Sequence, residues 1–351
     1  MIIDEQEELE EVGQWLKEHW QDRVFNPPSV LKGGDYAGAY TLYCSIVKCD
    51  EQEYILKRYN PLGVYGAEAE KLNYSLFGKH SLFPRLEAFV PKGTDSPGIM
   101  AYGILLSFYP HKISLDGISI VEALAIGLSM ATMLSYFAEQ GRIYFDLRSD
   151  SLRVDSAGGL HLIDFSDLIT MDELLERPSA GLPVIDRKSK LIPPEGIRHQ
   201  NAVEEFFDGK SSWELVREVA HAMNPQRYQV FALAGLLVEI LVGPGADAAA
   251  LSARIARAGG PGDGAFTVAE RTQFLDLLTR MQEANDMARP SFQATREVFW
   301  SLLSPRLKPK LLTTNVISRR AAKLLRTISR RDGDTVSQQI KKRLMAYWST
   351  Y

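Results

Sequence analysis

One segment, residues 142–168, constrains the fold of this chain more than any other. It follows a long, mostly apolar stretch that predicts a buried helix, and it carries Asp146 on a tight loop after that helix. Two short runs of β-forming residues with turn residues at their borders then predict a β-hairpin, and Asp164 closes its second strand. The sequence therefore predicts two carboxylates, 18 residues apart, presented by loops beside short strands.

Carboxylates in this arrangement suit two different tasks at one site. One of them can accept a proton from an incoming hydroxyl group while the other holds a metal ion. A single aspartate in such a loop is also a common turn former. Asp146 and Asp164 together with Lys57, a lysine in a predicted strand, favour a functional site over a purely structural role.

The first and second parts of the chain differ in their periodicity. Residues Val30–Tyr59 predict three antiparallel strands, whereas the chain beyond Gly196 is mostly helical, including a helix at Val230–Leu241. The stretch between Asp164 and Gly196 is irregular. Such a division implies an α+β chain of two lobes. We assign an acidic helical extension (1–25), a β-rich lobe (26–109), a helical lobe (110–305) and a basic helical tail (306–351).

The segment at 142–168 resembles the catalytic core of the protein kinase superfamily. Tyr144–Ser151, with the sequence YFDLRSDS, is similar to the catalytic loop HRDLKxxN, and Asp164–Ser166 is similar to the DFG motif. The resemblance covers about residues 30–303, and its pieces occur in family order. It implies a bilobal, protein-kinase-like fold with a small β-rich lobe and a large helical lobe.

Motifs upstream of the core complete the nucleotide site that the resemblance implies. The stretch GGDYAG lies where the glycine-rich loop should be, and Lys57 matches the lysine that holds the α- and β-phosphates. Glu68 best matches the helix glutamate that pairs with that lysine, with Glu70 as the rival assignment. The stretch ILLSFYP matches the interlobe hinge, with Leu106 as gatekeeper. The residues assigned to nucleotide binding are Gly33, Gly34, Gly38, Lys57, Glu68, Ser107 and Tyr109.

Downstream motifs point to the same family. The stretch PPE resembles the APE motif, and RPSF resembles the segment whose arginine forms a salt bridge with its glutamate. The resemblance therefore pairs Glu195 with Arg289, which favours a protein-kinase-like lobe over small-molecule kinases that share only the core. The stretch FALAGLLVEIL resembles the central helix of the large lobe.

The resemblance implies ATP together with Mg²⁺ or Mn²⁺ as cofactors, and it assigns a role to each charged residue. Asp146 orients the acceptor hydroxyl, and Arg148 is the cation that serine/threonine kinases place near the γ-phosphate. Lys57 is a fixed cation on the phosphates. Asp164 and Ser151 match the two metal ligands.

Several positions depart from the family pattern. Tyr144 and Phe145 replace the histidine and arginine before the catalytic aspartate, so we expect that phosphorylation of Thr170, Ser179 or Ser189 is not required for activity. The alternative is that a nearby base supplies a substitute cation, the candidates being Arg177, Arg187, Lys188 and Lys190. Ser151 replaces the metal-binding asparagine, so the second cation should bind weakly and Mn²⁺ should serve at least as well as Mg²⁺. The alternative is that Ser151 only caps the loop and that Asp150 or Asp167 completes the metal site. Ser166 replaces glycine, and Gln229 replaces the aspartate that anchors the catalytic loop.

Three functions stay open from the sequence. The first is an ATP-dependent serine/threonine-type protein kinase that transfers the γ-phosphate to a hydroxyl acceptor. The second is a pseudokinase that binds nucleotide or docks partners without transferring phosphate. The third is a small-molecule or lipopolysaccharide-type kinase that shares the two aspartates.

Charge is distributed unevenly along the chain. The net charge is −4 overall, but residues 1–23 carry −6 and residues 306–343 carry +10. The basic tail could bind an acidic partner, nucleic acid or an anionic surface, or it could dock on the acidic body of the same chain. No aromatic residues interleave the tail charges in the manner of a nucleic-acid-binding motif, which favours docking on the body.

Composition also predicts where the protein resides. No apolar run was expected to approach the ~20 residues that span a bilayer, the best being Val230–Val242, which carries Glu239. The N-terminus lacks the basic-then-apolar order of an export signal. Two cysteines, Cys44 and Cys49, are too few for a disulfide framework or a four-ligand zinc site. The sequence predicts a soluble, cytoplasmic protein without a transmembrane segment.

Overall fold

A computed structural model of the 351-residue chain gives a mixed α+β structure with small antiparallel sheets. The structure describes residues 14, 17–18, 29–30, 41–49, 52–59, 64–78, 83–90, 103–107, 111–113, 117–177, 191–246, 248–257, 266–330 and 335–348. The strands are β1 (Ser29–Val30), β2 (Thr41–Cys49), β3 (Gln52–Tyr59), β4 (Leu86–Val90), β5 (Gly103–Ser107), β6 (His111–Lys112), β7 (Ile143–Tyr144), β8 (Leu152–Val154), β9 (Leu160–Leu162) and β10 (Leu168–Ile169). The helices are α1 (Val64–Phe77), α2 (Ile120–Glu139), α3 (Met171–Glu176), α4 (Pro194–Phe207), α5 (Trp213–His221), α6 (Pro225–Val242), α7 (Ala248–Ala256), α8 (Val268–Met281), α9 (Phe292–Leu303), α10 (Pro309–Thr314), α11 (Val316–Leu324) and α12 (Thr335–Trp348).

The chain divides into two compact units. Unit 1 contains Met1–Tyr109 together with Asp164–Ser166, and unit 2 contains Pro110–Ile163 and Asp167–Tyr351. Three residues from the middle of the chain thus belong to the unit that the first part of the chain builds. The α+β class predicted from the sequence is confirmed.

Unit 1 contains a five-stranded antiparallel sheet with the order β1-β2-β3-β5-β4. The central strand, β3, has Lys57 opposite Cys44 on β2 and Ile104 on β5, so the backbone of this lysine is fixed from both sides. Helix α1 packs against β3, β4 and β5. Its apolar face is buried through Ala67, Tyr74 and Phe77, which recur at helical spacing.

Unit 2 is built around α2, which is buried over most of its length. A capping box starts the helix, since Ser119 accepts from the backbone N–H of Glu122 and Glu122 accepts from the backbone of Ser119. Helices α6, α9 and α11 pack around α2. Two small antiparallel sheets, β6-β8-β9 and β7-β10, complete the unit.

The length and composition of α2 correct one expectation. The sequence analysis found no apolar stretch near the length of a membrane span, but Ile120–Glu139 has 20 residues and a mean hydropathy of 1.6, enough to cross a membrane by those two criteria. Of the 18-residue stretch of this helix over which the hydropathy is averaged, 94% is buried inside the protein. The core helix of a soluble protein meets the same criteria, so this helix is weak evidence for a membrane segment.

The structure differs from the sequence prediction at the start of one helix and in the segment after Asp164. Helix α6 begins at Pro225, five residues before the predicted start, because the Asn224 side chain accepts from Arg227 N and caps a helix whose first residue is proline. The stretch after Asp164, predicted as irregular, contains β10 and α3. Short elements of two and six residues leave too little periodicity to be recognised in a sequence.

The basic tail belongs to unit 2 and contains α10, α11 and α12. Its apolar residues Leu312, Leu325 and Ile340 are buried, and the Ser129 hydroxyl of α2 donates to the Leu324 carbonyl oxygen. At the start of the tail, Arg306 binds both carboxylate oxygens of Glu270 at 3.0 Å. One face of the tail is therefore packed against the rest of its own unit.

Candidate active site

The candidate site in unit 1 is centred on the ammonium group of Lys57. Its Nζ donates to both carboxylate oxygens of Glu70 at 2.9 Å and to Asp164 Oδ1 at 2.9 Å. The Lys57 side chain is 11% exposed, that of Glu70 is fully buried and that of Asp164 is 34% exposed. One cation thus joins a buried carboxylate to a carboxylate that reaches solvent.

The partner of Lys57 on α1 is Glu70, so the preferred assignment of Glu68 is wrong. Glu70 lies on the buried face of the helix, three residues after buried Ala67. Glu68 is on the exposed face, where its carboxylate lies 3.8 Å from Lys71. The phase of the helix decides between the two glutamates, since positions two apart on a helix face in different directions.

Burial and charge oppose one another in this cluster. Burial lowers the pKa of Lys57, but the Asp164 and Glu70 carboxylates outweigh it and hold that pKa well above the ordinary value of lysine. Burial raises the pKa of Glu70 to about 7, against the lowering by Lys57. Lys57 is therefore a permanent cation, whereas Glu70 titrates near neutrality.

Helix α1 also fixes the turn that carries Asp164. The Phe165 backbone N–H donates to Glu70 Oε1 at 2.8 Å, and Asn73 Nδ2 donates to the Phe165 carbonyl oxygen at 2.9 Å. The Phe165 ring stacks on Tyr74 with 4.6 Å between ring centroids, and the Tyr74 hydroxyl accepts from Asp164 N. These contacts hold Asp164 at a φ of 70°, a conformation adopted by no other non-glycine residue among those described.

Sequence analysis missed Asn73 and Tyr74 as parts of this site. They lie three and four residues after Glu70, so they share its face of α1. Helical spacing from the correct glutamate was the signal that could have found them. The Ser166 hydroxyl adds a bond of 3.3 Å to Asp164 Oδ1 from within the turn, so this serine contacts the carboxylate directly.

The second group of predicted residues lies in unit 2, on the loop after β7. Arg148 Nη2 donates to Asp146 Oδ2 at 2.6 Å, and both side chains reach solvent. The contact between Asp146 and Arg148 can be exchanged for one with a substrate hydroxyl at little cost, because ion pairs that reach solvent are worth at most about 1 kcal/mol. Asp146 is thus chemically available as a hydrogen-bond acceptor.

Two side chains hold the backbone of this loop. Gln229 on α6 accepts from Tyr144 N at 3.3 Å, and its Nε2 donates to the Arg142 carbonyl oxygen at 3.1 Å. The Tyr144 hydroxyl donates to the Ile163 carbonyl oxygen at 2.8 Å. Sequence analysis noted both residues only as departures from the family pattern, yet both make specific bonds to the backbone.

Ser151, the predicted second metal ligand, is only 2% exposed. It ends a short 3₁₀ turn at Ser149–Ser151, and its carbonyl oxygen accepts from Ile163 N at 2.9 Å. Asp167, which could have substituted as a ligand, has its carboxylate bonded to Arg177. Asp150 uses its carbonyl oxygen to bind Arg153.

Asp164 is a better candidate ligand for a magnesium ion than Ser151, Asp150 or Asp167. Its carboxylate is a hard oxygen donor with a third of the side chain exposed. Within the described parts of the chain, no group of three or more His, Cys, Asp or Glu side chains could hold a metal ion. One carboxylate is nonetheless a normal protein contribution to a site whose remaining ligands are phosphates and water.

Several predicted residues lie outside the described part of the chain. These are Gly33, Gly34, Gly38 and Tyr109 of the nucleotide site and Ser179 and Ser189 of the proposed phosphorylation segment. The backbone of Ser107 is described and pairs with Tyr54 in the sheet, next to the buried Leu106.

The ion pair predicted between Glu195 and Arg289 is present in unit 2. Arg289 Nη2 lies 2.9 Å from Glu195 Oε2, and its Nη1 bonds the other carboxylate oxygen. Both side chains are buried, and the guanidinium also stacks over the Phe231 ring. The bidentate geometry accounts for the choice of arginine over lysine.

A scan against models of known protein families finds no match for the chain, and a search of curated proteins finds none either. The functional conclusion therefore depends on the arrangement of the side chains described above.

Proposed function

We propose that this chain is an ATP-dependent phosphotransferase of the serine/threonine protein kinase type, with a bilobal kinase-like fold. The observation that carries the proposal is the contact of Lys57 with both Glu70 and Asp164. Asp164 is 107 residues from Lys57 in sequence, and the three residues come from a strand, a helix and a turn. A buried lysine held between two carboxylates costs desolvation energy, which a purely structural role does not require.

The chemistry of phosphoryl transfer matches this cluster. The reaction needs positioning of the phosphates and neutralisation of their charge more than it needs covalent help from the protein. Lys57 supplies a cation whose orientation is fixed by Glu70 from the buried side. In the proposal it binds the α- and β-phosphates of ATP, while the Asp164 carboxylate, which reaches solvent, holds Mg²⁺ or Mn²⁺. The metal ion supplies charge neutralisation to the phosphate oxygens when bound.

Asp146 and Arg148 supply the acceptor side of the proposed reaction. The Asp146 carboxylate orients the hydroxyl of the acceptor and accepts its proton as the new bond from that oxygen to the γ-phosphorus forms, while the bond from the γ-phosphorus to the bridging oxygen breaks and ADP leaves. Arg148, which is half-exposed and paired with Asp146, is a cation for the phosphoryl group. The buried pair of Glu195 and Arg289 supports a protein-kinase type over a small-molecule type, as argued from the sequence.

A second candidate, a pseudokinase that binds nucleotide without transferring phosphate, is favoured by Ser151. This residue stands where the family has its second metal ligand, and its side chain is almost fully buried. A buried hydroxyl is a poorer metal ligand than an exposed amide oxygen, so a second cation should bind more weakly at this position.

Nucleotide binding and phosphate transfer, measured on the same variants, test the proposal. We expect the wild-type chain to bind ATP with Mg²⁺ or Mn²⁺ and to transfer label from [γ-³²P]ATP to a mixed protein substrate. Asp146→Asn should abolish transfer and leave ATP affinity nearly unchanged, whereas Asp164→Asn should impair both. The control is Asp208→Asn, which removes an exposed aspartate paired only with Lys210 in the described structure.

The outcomes separate the two candidates. Binding without transfer under either metal supports the pseudokinase. Absence of ATP binding, or full transfer by both the Asp146→Asn and Asp164→Asn variants, contradicts the kinase assignment altogether.

A further inference from the structure

Residues Asp167–Arg177 belong to unit 2, and we name them the docking arm. Its strand β10 pairs with β7, with Leu168 opposite Tyr144. The Phe145 N–H donates to the Asp167 carbonyl oxygen at 3.0 Å. The docking arm is thus hydrogen-bonded to Phe145, the residue before Asp146, and lies opposite Tyr144 in the two-stranded sheet.

A buried arginine links the docking arm to the chain just before β7. Arg142 Nη1 donates to Glu173 Oε2 at 3.0 Å and Nη2 donates to Oε1 at 3.3 Å. The same guanidinium donates to the Leu168 carbonyl oxygen at 3.2 Å. The Arg142 side chain is 9% exposed, so Glu173 compensates a cation that has little access to water.

Glu173 also caps the N-terminus of α3. Its Oε2 accepts from Thr170 N at 2.7 Å, and its own N–H donates to the Thr170 hydroxyl at 3.2 Å. This reciprocal capping box fixes the first turn of a helix that has only six residues. At the far end, Arg177 binds the Asp167 carboxylate and so closes the docking arm on itself.

We propose that Glu173 is a positioning residue: through Arg142 and the capping box, its carboxylate fixes the docking arm and hence the loop that carries Asp146, without a phosphate group. The inference rests on the proposed function, because positioning matters only if Asp146 acts on a substrate. The Thr170 hydroxyl is already an acceptor in the capping box. Arg142 binds the Glu173 carboxylate and Arg177 binds the Asp167 carboxylate, so both cations already have a carboxylate partner.

Apolar contacts alone do not account for this arrangement. Leu174 and Ile169 pack in a cluster with Ile143 and Tyr228, which buries one face of the docking arm. Those contacts persist in Glu173→Gln, but the buried Arg142 cation then has only uncharged oxygens as partners, the Leu168 carbonyl and the new side-chain amide. Removing one member of a buried ion pair is strongly destabilising for this reason.

Hydrogen exchange and steady-state kinetics on the full chain test the inference together. The variants are Glu173→Gln, which removes the charge at constant size, and Asp172→Asn as the matched control. Asp172 is on the same helix, is 85% exposed and lies 3.8 Å from His221. Mass spectrometry of the intact proteins ensures that none carries phosphate.

For Glu173→Gln we expect amides at 143–146 and 168–177 to exchange roughly tenfold faster, with amides elsewhere unchanged. We also expect kcat for phosphate transfer to fall by a similar factor while the Kd for ATP stays the same, because ATP contacts Lys57 in the proposal. Asp172→Asn should match the wild type in every measurement. Arg142→Gln should reproduce the Glu173→Gln effects, and the double variant should be no worse than either single one.

Equal exchange in Glu173→Gln and Asp172→Asn would overturn the inference, as would faster exchange with an unchanged kcat. A wild-type chain that transfers phosphate only after phosphorylation of the docking arm would overturn it as well. If the wild type binds no ATP, the proposed function is wrong. The exchange data then show separately whether Glu173 fixes the loop that carries Asp146.

Discussion

Tyr144 donates its hydroxyl to the main-chain carbonyl oxygen of Ile163 at 2.8 Å. The donor is two residues before Asp146, and the acceptor is the residue immediately before Asp164. A single side chain therefore connects the two stretches of backbone from which both proposed catalytic carboxylates extend. Tyr144 is fully buried, so its hydroxyl has little alternative hydration.

Loss of the Tyr144 hydroxyl should destabilise the chain and lower its activity. Tyr144→Phe leaves the Ile163 carbonyl without this partner, and we expect the free energy of unfolding to fall by about 1–2 kcal/mol. The control is Tyr228→Phe, because the buried Tyr228 hydroxyl has no hydrogen-bond partner within the described structure. Denaturant unfolding should show Tyr228→Phe to be neutral or stabilising, and equal losses in both variants would contradict the role of the Tyr144 bond.

Substitution of the two glutamates of α1 should separate their roles in nucleotide binding. Glu70→Gln removes one of the two carboxylates that orient Lys57, so we expect ATP affinity to drop about five- to tenfold. Glu68→Gln, on the exposed face of the same helix, should leave the affinity unchanged. Isothermal titration with ATP and Mg²⁺ measures both. A larger effect from Glu68→Gln would mean that α1 has a different phase when nucleotide binds.

The buried Glu70 should also make stability depend on pH near neutrality. Its pKa is raised from 4.5 to about 7 in the folded chain, so between these values the folded state keeps a proton that the unfolded state releases. The free energy of unfolding should therefore decrease as pH rises through this window, by at most about 3 kcal/mol. The Glu70→Gln variant lacks the carboxyl group that titrates in this range. Its stability relative to wild type should increase between pH 4.5 and 7, and a difference that stays constant would disprove the raised pKa.

The contact between Arg306 and Glu270 should give the opposite dependence at acid pH. Hydrogen bonds from Arg306 lower the pKa of Glu270 from 4.5 to about 2, so this contribution to stability is present above 4.5 and is lost as pH falls towards 2. Because Glu270 is partly exposed, we expect about 1 kcal/mol. Arg306→Gln should reduce the acid sensitivity, measured by urea unfolding at pH 2.5 and 5. Lys308→Gln, an exposed neighbour in sequence, serves as the control and should retain the wild-type slope.

The sequence predicted the elements of the site better than it predicted their contacts. Lys57 in a strand, Asp164 after a hairpin and the buried pair of Glu195 and Arg289 all follow from local patterns and from the family resemblance. The choice of Glu70 over Glu68 did not, because both fit the same match and only the rotation of α1 about its axis distinguishes them.

The other features that the sequence did not predict depend on contacts between segments that are distant in the chain. Gln229 carries no sign in the sequence that its amide binds the backbone at Arg142 and Tyr144, more than 80 residues away. Short elements such as α3 are stable because of tertiary partners, since six residues cannot hold a helix in isolation. Glu173 and Arg142 therefore had no recognisable pattern before the fold was known.

The position of α11 against α2 has a consequence for any attempt to shorten the chain. A protein that ends at residue 305, the end of the helical lobe predicted from the sequence, would lack the whole basic tail. A recombinant protein truncated there would lose the cover that α11 gives to a helix apolar enough for a bilayer. The newly exposed strip of α2 would be a site for self-association, so expression trials should retain residues through α12.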